Sequence, residues 1–185
     1  MNKPYVIGIA GGSASGKSTF TKTLCDRVLE TGKSALALHM DMYFKPKEER
    51  PMGKAPVTGI TYLEDNLPVS FNLPKLKADF EVAVKEHAAD VIVVEGLLTL
   101  WDEELLPFFD LKLFIDCKPD ERIVRRLRRN MKERGLSFDE IAGVYLDMVR
   151  YRHEEYVEMT KWRADLIING STFSEKALDI IISQC

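Results

Sequence analysis

The chain has 185 residues, 45% of them apolar and 30% charged, with 11 Gly and 8 Pro, a make-up that excludes disordered and collagenous proteins. At this length roughly 70% of the unfolded chain's surface can be buried, so a core forms without a disulfide or structural metal. Twenty-six Lys plus Arg against 29 Asp plus Glu leave a net charge of −3, which argues against nucleic acids as partners.

In chain order, Tyr5 to Ala10 is the first apolar run without alternation, the pattern of a strand buried on both faces. Directly after it, Gly11-Gly12-Ser13-Ala14-Ser15-Gly16-Lys17-Ser18-Thr19 fits Gly, four residues, then Gly-Lys-Ser, the phosphate-loop (P-loop) pattern. Glycines let the backbone wrap with its N–H groups inward, and a helix starting near Gly16 adds the positive end of its dipole. Lys17 then reaches the β- and γ-phosphates, and the Ser18 hydroxyl reaches Mg²⁺. Phe20, Leu24, Val28 and Leu29 carry helical periodicity, ended by Gly32.

Ala35 to His39 reads as the second strand. Met40 to Phe71 follows, rich in Pro and Gly and weakly periodic, and loops this long in compact domains are usually functional. Asn72 with Pro74 opens a helix near Leu73. Val91 to Val94 is a buried strand that delivers Glu95 to the carboxyl end of the sheet, where ligands bind in open α/β folds, so Glu95 is expected to hold the metal with Ser18. Leu111 to Ile115 is another strand. From Pro119 a helix sets Ile123, Leu127 and Met131 as a buried stripe and groups Arg122, Arg126 and Arg129 on another face. Ile141, Val144, Tyr145 and Met148 continue helical, Leu166 to Ile168 is a strand, and Ser174 with Glu175 opens the last helix. Alternating strands and helices predict an α/β, three-layer fold with about five parallel strands, which with the phosphate loop is a P-loop NTPase. One domain over 1–185 is expected.

The sequence lacks the Asn-Lys-x-Asp of GTPases and the Leu-Ser-Gly-Gly of transport ATPases, which leaves a small-molecule kinase. It resembles the uridine kinase and phosphoribulokinase family through Gly11 to Ser18, His39-Met-Asp41-Met-Tyr43-Phe44, Leu67-Pro68-Val-Ser70-Phe71, Val93-Val-Glu95-Gly96, Leu113-Phe-Ile-Asp116, Arg122 to Gly135 and Ala164 to Ile168. The resemblance implies the nucleoside/nucleotide kinase-like form of the P-loop NTPase fold, with Asp41 as the general base on the attacking hydroxyl and 119–145 as a helical, Arg-rich lid. Arg126 and Arg129 then act in catalysis, and Arg134 binds ATP. Arg125 and Arg128 are expected at the surface. The acceptor region is about 40–72, with Tyr43, Phe44, Asp65, Asn66 and Phe71 as acceptor contacts and Tyr62 nearby. Four departures lie on the acceptor side. There is no room for a hairpin before the Glu95 strand, Leu136 and Val144 stand where the family has Arg and Gln, and Asn66 stands in an acidic position.

The expected reaction is transfer of the γ-phosphoryl group of ATP, with Mg²⁺, to a hydroxyl of a small molecule. The acceptor is a uridine- or cytidine-like nucleoside or related riboside. Alternatives are a pantothenate-, glycerate- or sugar-like alcohol or a phosphate acceptor, and, in another class, an ATP-binding switch without an acceptor. A homo-oligomer stays open. Cys25, Cys117 and Cys185 are spaced neither as a disulfide framework nor as a zinc site, and His39, His87 and His153 are expected to be structural. The run before Gly11 is shorter than the roughly 7–15 residues of a secretory core, and Val91 to Leu100, broken by Glu95, falls short of the ~20 that span a bilayer. A cytoplasmic protein without a membrane partner is expected.

Overall fold

The computed structural model describes residues 3–185. The chain runs β1 (Tyr5–Gly11), α1 (Lys17–Glu30), β2 (Ala35–His39), β3 (Met52–Lys54), β4 (Thr61–Leu63), α2 (Leu73–Lys85), β5 (Val91–Glu95), β6 (Leu111–Asp116), α3 (Pro119–Arg134) and α4 (Phe138–Val144). After α4 the helix continues through a wide turn at Tyr145–Val149, the single turn α5 (Arg150–Arg152), a second wide turn at His153–Val157 and a tight 3₁₀ stretch at Glu158–Arg163. β7 (Leu166–Asn169) and α6 (Glu175–Ile182) close the chain.

All five apolar runs form one parallel sheet in the order β2-β5-β1-β6-β7. Strand alternation divides its side chains between two cores. Val6, Ala10, Ile92 and Val94 face one side with Leu76 and Phe80 of α2. Ile7, Ile9, Val91 and Val93 face the other, against Phe20, Leu24 and Val28 of α1 and Leu178 and Ile181 of α6. Each fully buried Leu, Ile, Val or Phe side chain contributes roughly 1.5–3 kcal/mol, so these two layers carry most of the burial energy. The caps follow the local chemistry: Asn72 accepts from the Lys75 N–H, and Ser174 accepts from the Ala177 N–H.

Two expectations are corrected. The stretch 40–72 is not structureless, because β3 and β4 pair antiparallel as a hairpin within it. On α3 the buried residues are Arg122 and Asn130, Ile123 and Leu127 are only half-buried, and Met131 is 47% exposed. The cause is position: α3 lies against the phosphate loop rather than the core, so its polar side is the one covered. Among the described residues no helix is long and apolar enough to cross a membrane.

Candidate active site

The parallel register brings β1, β2 and β5 to one edge, with Ile9 and His39 both level with Glu95. The loop from Gly11 to Gly16 leaves that edge with positive φ at Gly11, Ala14 and Gly16 (145°, 62° and 102°). Left-handed residues spaced through so short a loop let its N–H groups converge, the geometry of an anion nest, and the strained Ala14 fits a functional loop. Ser13, Ala14 and Gly16 to Thr19 line a cavity of about 1120 Å³. Gly11, Gly12 and Ser15 form the back of the loop and are buried. A Cβ on Gly12 would lie 2.9 Å from His153 Cε1 and would also collide with the Arg122 guanidinium, so a larger residue here requires those side chains to move.

Lys17 is buried, its Nζ donating to Gly12 O at 3.2 Å and lying 3.8 Å from Glu95 Oε1. Burial holds its pKa below the ordinary lysine value although Glu95 and Asp41 favour its charge. Glu95 Oε2 accepts from Ser18 Oγ at 3.3 Å and pairs with His39 Nδ1 at 2.8 Å. Burial pushes the Glu95 carboxyl up, but His39, Lys17 and Ser18 together hold it below the usual carboxylate range. His39, expected to be structural, is therefore a partner of the cleft carboxylate. Asp41 lies exposed on the cleft wall, in the turn after β2, where its charge favours protonation of both Lys17 and His39.

The arginine face of α3 points at the loop. Arg126 donates to Ser13 Oγ at 3.1 Å, while Arg129 and Arg134 also line the cavity. Burial, with Arg129 and Arg134 nearby, pushes the Arg126 guanidinium down to about 10. Arg125, expected at the surface, instead donates to Gly170 O at 2.8 Å and Ser15 O at 3.4 Å and lines the cleft, clamping the loop after β7 onto the phosphate loop. Arg128 is exposed as expected. Arg122 sits beneath the loop, donating from Nε to Cys117 O at 3.0 Å.

His153 packs beside Arg122, its Nε2 on Glu158 Oε2 at 3.0 Å and its Nδ1 buried without a partner. Burial and the Arg122 charge hold its imidazole well below the ordinary range. The unfolded chain therefore binds the proton first, so stability should fall as pH drops below about 6.5, before most carboxylates titrate. Thermal unfolding midpoints measured from pH 7 to 4.5 should show that decline, and His153→Gln should flatten it.

On the acceptor side the structure brings Phe44, Asp65, Asn66 and Phe71 to the same cavity. Phe44 stacks on Phe71 at 4.2 Å between ring centroids, and the Arg50 guanidinium lies 4.5 Å from the Phe44 ring while pairing with Asp65 at 2.8 Å. Tyr43 is not brought in: its hydroxyl donates to Asp79 of α2 at 3.0 Å, and burial pushes it up to about 12. Tyr62 turns away to Asp147. Sequence reasoning missed Lys47, Arg50, Leu63, Leu97, Gly170, Ser171 and Phe173 of the lining, and among these only the Phe44-to-Arg50 proximity offered a signal. Leu136 lines the cavity too, an apolar group where the family resemblance expects Arg. Between α2 and β5 only Glu86 to Asp90 intervene, so the hairpin is absent as expected.

A parallel sheet, a phosphate nest with its lysine, a carboxylate on the adjacent strand and an arginine-bearing helix over the cleft define a P-loop phosphotransferase. The chain belongs to the phosphoribulokinase/uridine kinase family, whose model matches residues 71–175. It is 36% identical to a uridine kinase of Bacillus pumilus, with 99% of this chain and 94% of that protein covered, and 34% identical to a uridine kinase of Oceanobacillus iheyensis, covering 98% and 94%. The Bacillus pumilus alignment spans 200 positions against 185 residues here, so that relative carries segments this chain lacks. Among solved structures the fold is similar to a possible uridine kinase from Bacillus stearothermophilus, with a TM-score of 0.59 at 21% identity covering 90% and 89% of the two chains.

Proposed function

We propose that this protein is an ATP-dependent nucleoside kinase that phosphorylates a primary hydroxyl of uridine or cytidine. The observation that carries this reading is that Asp41 shares one cleft wall with the phosphate nest, on a chain whose relatives are named uridine kinases. The nest and Lys17 hold the triphosphate, with 119–145 serving as lid. Asp41 accepts the proton of the attacking hydroxyl, and Arg126 and Arg129 meet charge on the phosphoryl group as it transfers. Phe44, Phe71, Asp65 and Asn66 contact the acceptor, and Arg134 contacts ATP.

Ser18 and Glu95 suit a magnesium ion: two oxygen donors 3.3 Å apart at the cleft, one of them a carboxylate held ionised. When bound, the ion neutralises charge on the β- and γ-phosphates. His39 holds Glu95 through the contact of its Nδ1 with Oε2.

The test is acceptor-stimulated ADP release with ATP and magnesium, over a panel of uridine, cytidine, other ribosides, sugars and pantothenate. Uridine or cytidine should stimulate release and yield the 5′-monophosphate. A different acceptor would reassign the substrate, and a product with a new phosphoanhydride would identify a phosphate acceptor. Slow hydrolysis indifferent to every acceptor would favour an ATP-binding switch.

A further inference from the structure

The acceptor wall is an extended segment whose two sides meet different neighbours. Leu63 and Asp65 line the cavity, whereas Glu64 between them points away and is fully buried, as strand alternation dictates. Tyr62 shares the side of Glu64. Both end on the helix that continues from α4. Arg152 donates from Nε and Nη2 to Glu64 Oε1 at 2.9 and 2.7 Å, and the Tyr62 hydroxyl donates to Asp147 Oδ2 at 3.0 Å. Asp147, itself buried, also accepts from the Thr58 hydroxyl in the β3–β4 connection.

Asp147 and Arg152 are five residues apart, a spacing that a regular helix of about 3.6 residues per turn sends to different faces. The wide turn at Tyr145–Val149, bonded i to i+5, brings both toward the hairpin. The contact is close: a Cβ on Gly53 would collide with the Glu64 carboxylate. It is also not arranged for stability alone. Glu64 Oε2 is buried without a partner, and an apolar pair of similar volume would hold the same space without that penalty. What an apolar pair lacks is direction, which two guanidinium N–H groups converging on the one oxygen Glu64 Oε1 supply.

We propose that Arg152 and Asp147 are positioning residues for the acceptor: they clasp the hairpin from behind and so fix where Leu63, Asp65 and Asn66 meet the substrate. This rests on the acceptor assignment of the proposed function. The helix that bears the clasp leads back through α4 to α3 and its arginines, so the acceptor wall and the cover over the phosphates are parts of one connected support.

The test pairs Arg152→Met with Glu64→Leu, which removes both charges and leaves no lone buried ion, and adds Arg152→Lys, which keeps the charge and loses the two guanidinium N–H groups. With uridine as acceptor, the double variant should raise the acceptor KM by about tenfold while the ATP KM stays within about twofold, and Arg152→Lys should fall between it and the unaltered protein. Amide hydrogen exchange should quicken across 61–66 and stay unchanged across 11–19. An acceptor KM within about twofold of the unaltered protein in both variants, or unchanged exchange at 61–66, overturns the proposal. An unaltered protein that shows no activity with uridine counts against the proposed function, and the exchange comparison still decides the clasp.

Discussion

Asp41→Asn should leave ATP binding intact and lower kcat by about 10² or more. The amide has nearly the carboxylate's shape but cannot take a proton from the attacking hydroxyl, so the loss falls on the chemical step. The Asp41 side chain borders the cleft. It leaves the end of β2 on a short turn whose first residue, Met40, is fully buried against Gly96, so the turn is anchored although Asp41 itself is exposed. The direction of the binding effect is a second check. Asp41 favours the charged form of Lys17, so removing it makes the cleft beside Lys17 less negative, and on the proposed ATP site the affinity should be unchanged or tighter. Steady-state kcat with an ATP titration by calorimetry separates the two quantities. Turnover near that of the unaltered protein would remove Asp41 from the mechanism.

The parts of the molecule that were legible in the sequence are those whose physics is local. β1 and β5 are buried on both faces, so they appear as unbroken apolar runs, and the phosphate loop needs glycines at fixed offsets. The α3 arginines were half legible. Spacing separates Arg122, Arg126 and Arg129 from the apolar stripe, but periodicity reports two faces without saying which one meets protein, and here the side bearing Arg122 is the one covered. Arg125 follows from the same geometry: three residues from buried Arg122, it shares the covered side and reaches Gly170 O and Ser15 O. Tyr43 sits two residues from Asp41, yet consecutive residues of a tight turn point in different directions, and its hydroxyl finds Asp79 instead of the cleft. The β3–β4 hairpin was illegible because strands of three residues hold too few positions to show alternation. Glu64 and Arg152, 88 residues apart, have no local signature at all.

The largest effect is expected at Arg126, where Arg126→Gln should lower kcat by about 10³ and change the ATP KM little. Its surroundings explain why. The guanidinium is largely buried, donates to Ser13 Oγ, and keeps its Nε buried without a partner, while Arg129 and Arg134 repel it. Asp65 across the cavity favours its charge, but burial, Arg129 and Arg134 outweigh it, so the free enzyme holds a cation that is only partly compensated. A phosphoryl group in transfer, with charge spread over its outer oxygens beside Ser13, is the group that fits, and the interaction strengthens as that charge develops. Lysine should not rescue the loss, because a point charge cannot reproduce the planar fork that spans the loop and the phosphoryl oxygens. Arg128→Gln, two residues along the same helix but exposed, is the matched control and should stay within about twofold. Single-turnover measurements at saturating ATP isolate the chemical step. If Arg126→Gln retained more than about a tenth of the rate, the charge of transfer would have to be met by Lys17 and Arg129 instead.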